Sequence, residues 1–130
     1  MHLHIHVPAE AHPRRAEPPL DRQTTPDDGE CVLCFAFTMT RRFGCDGTLR
    51  WVRRWRDVQR PRATALERQM ERRGGYCDCE IFLNAWDLLP DVMVRDLAGD
   101  LDWPPVMPGC VGVEPRSSRP CALWESRHPD

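Results

Sequence analysis

The sequence has no lysine; all 18 of its basic residues are arginine. It has no histidine between Pro13 and Arg127: His2, His4, His6, His12 and His128 all lie near the two ends. A Cys–His or Ser–His nucleophilic pair in the packed part of the chain is therefore not expected. The sequence also lacks H-E-x-x-H, G-x-x-x-x-G-K-[ST], G-x-S-x-G and G-x-G-x-x-G, so the common zinc-protease, phosphate-loop, hydrolase and dinucleotide motifs are missing. No apolar run approaches the length of a membrane span. Met1 to Pro8 carries no apolar stretch of the secretory kind. These absences lead us to expect no membrane partner and a reducing cytoplasm, where clustered thiols serve metal or redox chemistry in preference to structural disulfides.

What is present is a chain of 130 residues with a mean hydropathy of -0.57, enough for one domain with a thin core. Most of the 13 prolines gather at the two ends. We expect residues 1–29 to be a disordered N-terminal tail, 30–98 a helical Cys-rich domain, and 99–130 a Pro-rich tail partly docked on it. A domain that small buries little apolar surface for its length and gains from a metal or a cross-link. The alternating His2, His4 and His6 would share one side of a strand, but a disordered start is the simpler reading.

Apolar periodicity predicts three to four short helices. The first runs from Cys31 with Val32, Phe35, Ala36 and Met39 on one face, and Gly44 ends it. Asp46 or Thr48 can cap a second, through Leu49, Val52 and Trp55. Pro61 can open a third, with Ala63, Leu66 and Met70 inward, and Gly74-Gly75 stops it. Ile81 to Leu89 reads as a fourth helix, or as a short strand followed by helix. Beyond Gly99, prolines forbid long elements, yet Trp103, Val106, Val111, Val113, Leu123 and Trp124 are apolar enough to lie across the core. The fold class is thus mainly α, a small zinc-stabilised helical domain.

Seven cysteines carry the chemistry: Cys31-x2-Cys34, Cys45, Cys77-x-Cys79, Cys110 and Cys121. A C-x2-C turn converges two thiolates on one ion, and an extended C-x-C points both side chains the same way. Zinc takes four soft, deprotonated ligands in a tetrahedron. Cys45 and Cys77-x-Cys79 precede expected helices, whose N-terminal N–H groups favour thiolates. We therefore expect zinc on Cys31, Cys34, Cys45, Cys77 and Cys79, with Cys110 and Cys121 as secondary candidates. A lone cysteine is often only a small buried hydrophobe. Two arrangements are open: one four-thiolate site with three spare thiols, or two zinc ions sharing a sulfur. Asp78 and Glu80 beside the thiols could do acid–base work, but acids there more often cap a helix.

Cys45-Asp46-Gly47-Thr48-Leu49-Arg50 and Gly74-Gly75-Tyr76-Cys77-Asp78-Cys79-Glu80, with Leu83-Asn84, together resemble an uncharacterised family of small bacterial proteins. The hallmark of that domain of unknown function is C-D-H-T-L-R followed by G-G-Y-C-D-C-E. The likeness covers about Gly44 to Trp86 and brings no established activity. By position it implies that Cys45, Cys77 and Cys79 are the shared thiols. The family's histidine position is Gly47 here, so Cys31 and Cys34 are the expected replacement ligands.

Between Arg41 and Arg73, eleven arginines face four acids, a local charge of +7. On the second helix Arg50, Arg53 and Arg54 share a face, and an exposed Trp51 beside them could stack a base. The functions to be weighed are three. The first is a structural-zinc interaction module with an unknown protein partner. The second is a zinc-containing nucleic-acid binder using Arg50, Trp51, Arg53 and Arg54, set against a pI of 6.2. The third is a thiol redox protein using Cys77 and Cys79.

Overall fold

The computed structural model describes residues 20–114 and 117–127, so residues 1–19 of the expected 1–29 tail lie outside the described residues. Four helices lead: α1 (Val32–Phe43), α2 (Arg50–Gln59), α3 (Leu66–Arg72) and the single turn α4 (Asp78–Glu80). A π-helical turn at Ile81–Ala85 follows directly, and then short strands β1 (Trp86–Leu88), β2 (Val94–Arg95), β3 (Leu101–Asp102) and β4 (Trp124–Ser126). The order after the second cysteine pair is therefore helix then strand, the reverse of the alternative expected for Ile81 to Leu89. The strands make two antiparallel pairs, β1 with β4 and β2 with β3.

α1 is the axis of the packing. A one-sided apolar face was expected, but Val32 through Phe37, Met39 and Thr40 are all buried. The reason is that two layers sandwich the helix. On one side Phe35 meets Trp51 of α2 edge-on, with ring centroids 6.2 Å apart. On the other, Phe37 stacks on Trp103 at 4.7 Å and contacts Phe82 and Trp124 edge-on at 5.2 and 6.0 Å. Such pairs contribute about 0.5–1.5 kcal/mol each beyond area burial. The C-terminal segment thus completes the core through Leu123 and Trp124, which are buried, and Trp103, which is half-buried. Val106 and Val111, expected to join it, are 82% and 55% exposed.

Helix ends show how the local sequence is used. Pro61 does not open α3, which starts only at Leu66 after turns at 61–62 and 64–65. α2 has no side-chain cap from its own N-terminus. Asp46 turns instead onto Thr48, accepting from both its backbone N–H and its hydroxyl. Gly75 is required by crowding: a Cβ there would stand 2.9 Å from Ile81 Cγ1 and 3.3 Å from the Met70 carbonyl oxygen. The segment before α1 is also tied down. Thr24 and Pro26 are buried, and Arg54 donates to the Thr24 carbonyl and the Thr25 hydroxyl.

Candidate metal centres

Seven thiols fall into two groups. The sulfurs of Cys31, Cys34, Cys110 and Cys121 all lie within 4.8 Å of one another, and so do those of Cys45, Cys77 and Cys79. No sulfur belongs to both groups, so none is placed to bridge two ions. Cys31 and Cys34 do not complete the set of Cys45, Cys77 and Cys79, as was expected; they meet Cys110 and Cys121. The physical reason lies in the packing of the C-terminal segment. Trp103 and Trp124 dock on Phe37, and that brings Cys110 and Cys121 over the first turn of α1.

Within the four-sulfur group, Cys34 and Cys121 sulfurs are 3.7 Å apart. Tetrahedral zinc–thiolate bonds of about 2.3 Å set neighbouring sulfurs roughly 3.8 Å apart. A disulfide would need about 2.05 Å. Each sulfur also receives an N–H. The Cys34 backbone donates to Cys31 Sγ at 3.4 Å, and the Cys31 backbone donates to Cys110 Sγ at 3.3 Å. The Trp124 indole Nε1 donates to Cys34 Sγ at 3.3 Å, and the Leu123 backbone N–H bonds Cys121. Donors aimed at sulfur favour the charged thiolate that a metal needs. Cys31 is itself the N-cap of α1, where the helix dipole adds to the effect. Hydrogen bonds from Cys110 and its neighbours pull Cys121 down, while those from Cys110 and Cys121 push Cys31 and Cys34 up. Cys110 is lowered as well, so without an ion Cys121 and Cys110 carry charge at the expense of Cys31 and Cys34, which keep their protons.

The second group is built on the loop before α2 and on α4. Cys77 and Cys79 sulfurs are 3.3 Å apart, and Gly47 N–H donates to Cys45 Sγ at 3.4 Å. The neighbouring Cys77 thiol, followed by Cys79, holds Cys45 down at about 2, and the same contact with Cys45 pushes Cys77 up to about 12. Between the two thiols, Asp78 is fully buried. Its carboxylate accepts from the backbone N–H of Trp51 at 3.0 Å and of Val52 at 3.3 Å. It supplies the cap that α2 lacks, from 27 residues away. Burial raises its pKa despite those two bonds. Glu80 accepts from the Tyr76 N–H.

The arginine face of α2 differs from expectation. Trp51 is 2% exposed and packs between Phe35 and Phe43, so it presents no ring for stacking a base. Arg50 lies over the inner Trp51 ring at 4.7 Å and donates to the Phe43 and Gly44 carbonyls. Arg53 faces Glu67 at 3.7 Å, Arg56 pairs with the same carboxylate, and Arg54 is spent on Thr24 and Thr25. These four arginines of α2 are thus engaged by the protein's own groups, while Arg42, Arg62, Arg68 and Arg72 are exposed.

Residues 32–84 match the family described as protein of unknown function, DUF2695. No curated protein and no solved structure matches the chain. The DUF2695 segment contains all three cysteines of the second group, and of the first group it contains Cys34 alone. Among the described residues no helix is long and apolar enough to cross a membrane.

Proposed function

We propose that this chain is a structural-zinc interaction module, in which one ion on Cys31, Cys34, Cys110 and Cys121 clamps the C-terminal segment to α1. The reading rests on one observation: four sulfurs from three remote points of the chain converge at metal-binding distance, each with an N–H donor. An all-thiolate set of four closes the coordination sphere and serves structure, leaving no place for a substrate. Residues 30–98 then form the helical domain, and the described residues of the 99–130 tail pack across it as a zinc-anchored addition. The interaction part of the reading is supported by exposed apolar residues concentrated on that addition and the turn leading to it. Val94, Leu97, Leu101, Val106 and Val111 are each at least 40% exposed.

Native mass spectrometry of the reduced, full-length chain before and after chelation tests the reading. A bound mass of zinc that Cys121→Ser removes, together with faster proteolysis between 104 and 120, is the expected result. A chain that carries no zinc and keeps its proteolysis pattern through chelation would sink it.

A further inference from the structure

The second cysteine group has a different chemistry from the first, because it stops at three. Among the described residues, no histidine, cysteine, aspartate or glutamate offers a fourth ligand atom within 4.8 Å of all three sulfurs of Cys45, Cys77 and Cys79. The nearby carboxylates are engaged elsewhere: Asp78 on the N-terminus of α2, Asp46 on Thr48, Glu80 on Tyr76. The trio is buried but lies just beneath the surface: Cys45 and Cys77 keep 5% and 3% of their surface, Cys79 none, and the residues beside them, Gly47 and Tyr76, are exposed. Gly47 touches the group through its backbone, and it puts no side chain over Cys45.

We propose that Cys45, Cys77 and Cys79 form a second zinc site that is coordinatively open, its fourth position held by an exchangeable neutral donor from solution. Three protein ligands plus a solvent ligand is the arrangement of zinc sites that do chemistry or bind, as opposed to those that only hold a fold. Charge selects the class of donor. Three thiolates on Zn²⁺ leave one net negative charge, with the carboxylate of Asp46 next to Cys45 in the chain. A fourth anion would be disfavoured there by repulsion and desolvation. Water or an imidazole nitrogen adds no charge. The site therefore takes a water that a nitrogen base can displace. This inference is independent of the four-thiolate clamp.

Cobalt(II) in place of zinc makes the coordination visible. The full-length chain is stripped of metal under reducing conditions and loaded with cobalt. Two ions per chain by native mass spectrometry are expected, and added imidazole should shift the visible ligand-field bands of one of them. Gly47→His places an internal imidazole two residues from Cys45. It occupies a positive φ of 86°, which histidine tolerates better than most side chains. That variant keeps all seven thiols, should still bind two cobalt ions, and should need at least tenfold more imidazole for the same shift. Cys79→Ser should bind one ion and show no shift. A wild-type chain that binds one ion, lost in Cys121→Ser and kept in Cys79→Ser, overturns the second site and leaves the clamp standing. Two ions with no response to imidazole overturn the open position. A Gly47→His chain that responds like wild type also overturns it, whether or not Cys79→Ser folds.

Discussion

The two cysteine groups differ in what they join. Cys45, Cys77 and Cys79 lie wholly inside the DUF2695 segment and connect its α1–α2 loop to α4. Cys31, Cys34, Cys110 and Cys121 straddle the segment's borders and connect α1 to chain that the family match does not cover. One group is local and incomplete, the other long-range and complete. A closed tetrahedron that spans 90 residues of sequence acts on stability, because it is absent from the unfolded chain. An open trio can bind or react at the cost of holding less.

That contrast can be broken by experiment. The largest effect is expected from the long-range group. Cys34→Ser or exhaustive chelation should lower stability by several kcal/mol, given that structural zinc contributes about 10 kcal/mol or more in small domains. Thermal unfolding with and without zinc measures it; equal melting temperatures would remove the clamp from the argument. Phe37→Ala tests whether docking of the C-terminal segment also rests on apolar packing. Loss of this buried ring, which meets three aromatic partners, should cost about 3–5 kcal/mol in denaturant unfolding. Gly75→Ala acts on the local group. The clash with Ile81 and the Met70 carbonyl should cost about 1–3 kcal/mol and loosen the turn that carries Cys77. Zinc release on acidification sharpens the comparison. In the metal-free state Cys31 and Cys34, and likewise Cys77 and Cys79, hold their protons, so loading expels protons and affinity falls as pH falls. By that count each group expels two protons on loading, so both should lose zinc with similar steepness as pH falls, and a zinc-indicator titration measures the two slopes. The smallest effect belongs to Arg53→Ala. Its partly exposed pairing with Glu67 should be worth less than 1 kcal/mol, within the error of most unfolding curves.

Parts of this were legible in the sequence, for identifiable reasons. α1, its end near Gly44, and the closeness of Cys77 to Cys79 follow from local spacing, which no tertiary contact overrides. The pairing of Cys31-x2-Cys34 with Cys110 and Cys121 was not readable, because it depends on aromatic rings docking across more than sixty residues. Counting gives a partial signal: the three family cysteines leave four, the number zinc prefers. Trp51 shows a misassigned helix face. Trp51, Val52 and Trp55 stand at i, i+1 and i+4 and form the inner stripe of α2, so the ring belongs with the core. Its arginine neighbours suggested solvent, but an aliphatic stem and guanidinium can cover a buried ring from outside, as Arg50 does here. Asp78 as the cap of α2 could not be seen locally, since donor and acceptor are 27 residues apart.

The indole of Trp124 bonded to Cys34 Sγ gives the molecule a built-in optical gauge. Its emission should respond when that sulfur gains or loses an ion, whereas events at Cys45, Cys77 and Cys79 register at Trp51, on whose backbone Asp78 rests. Single-tryptophan versions of the chain would let each centre be followed by light alone, one against the other, in the same tube.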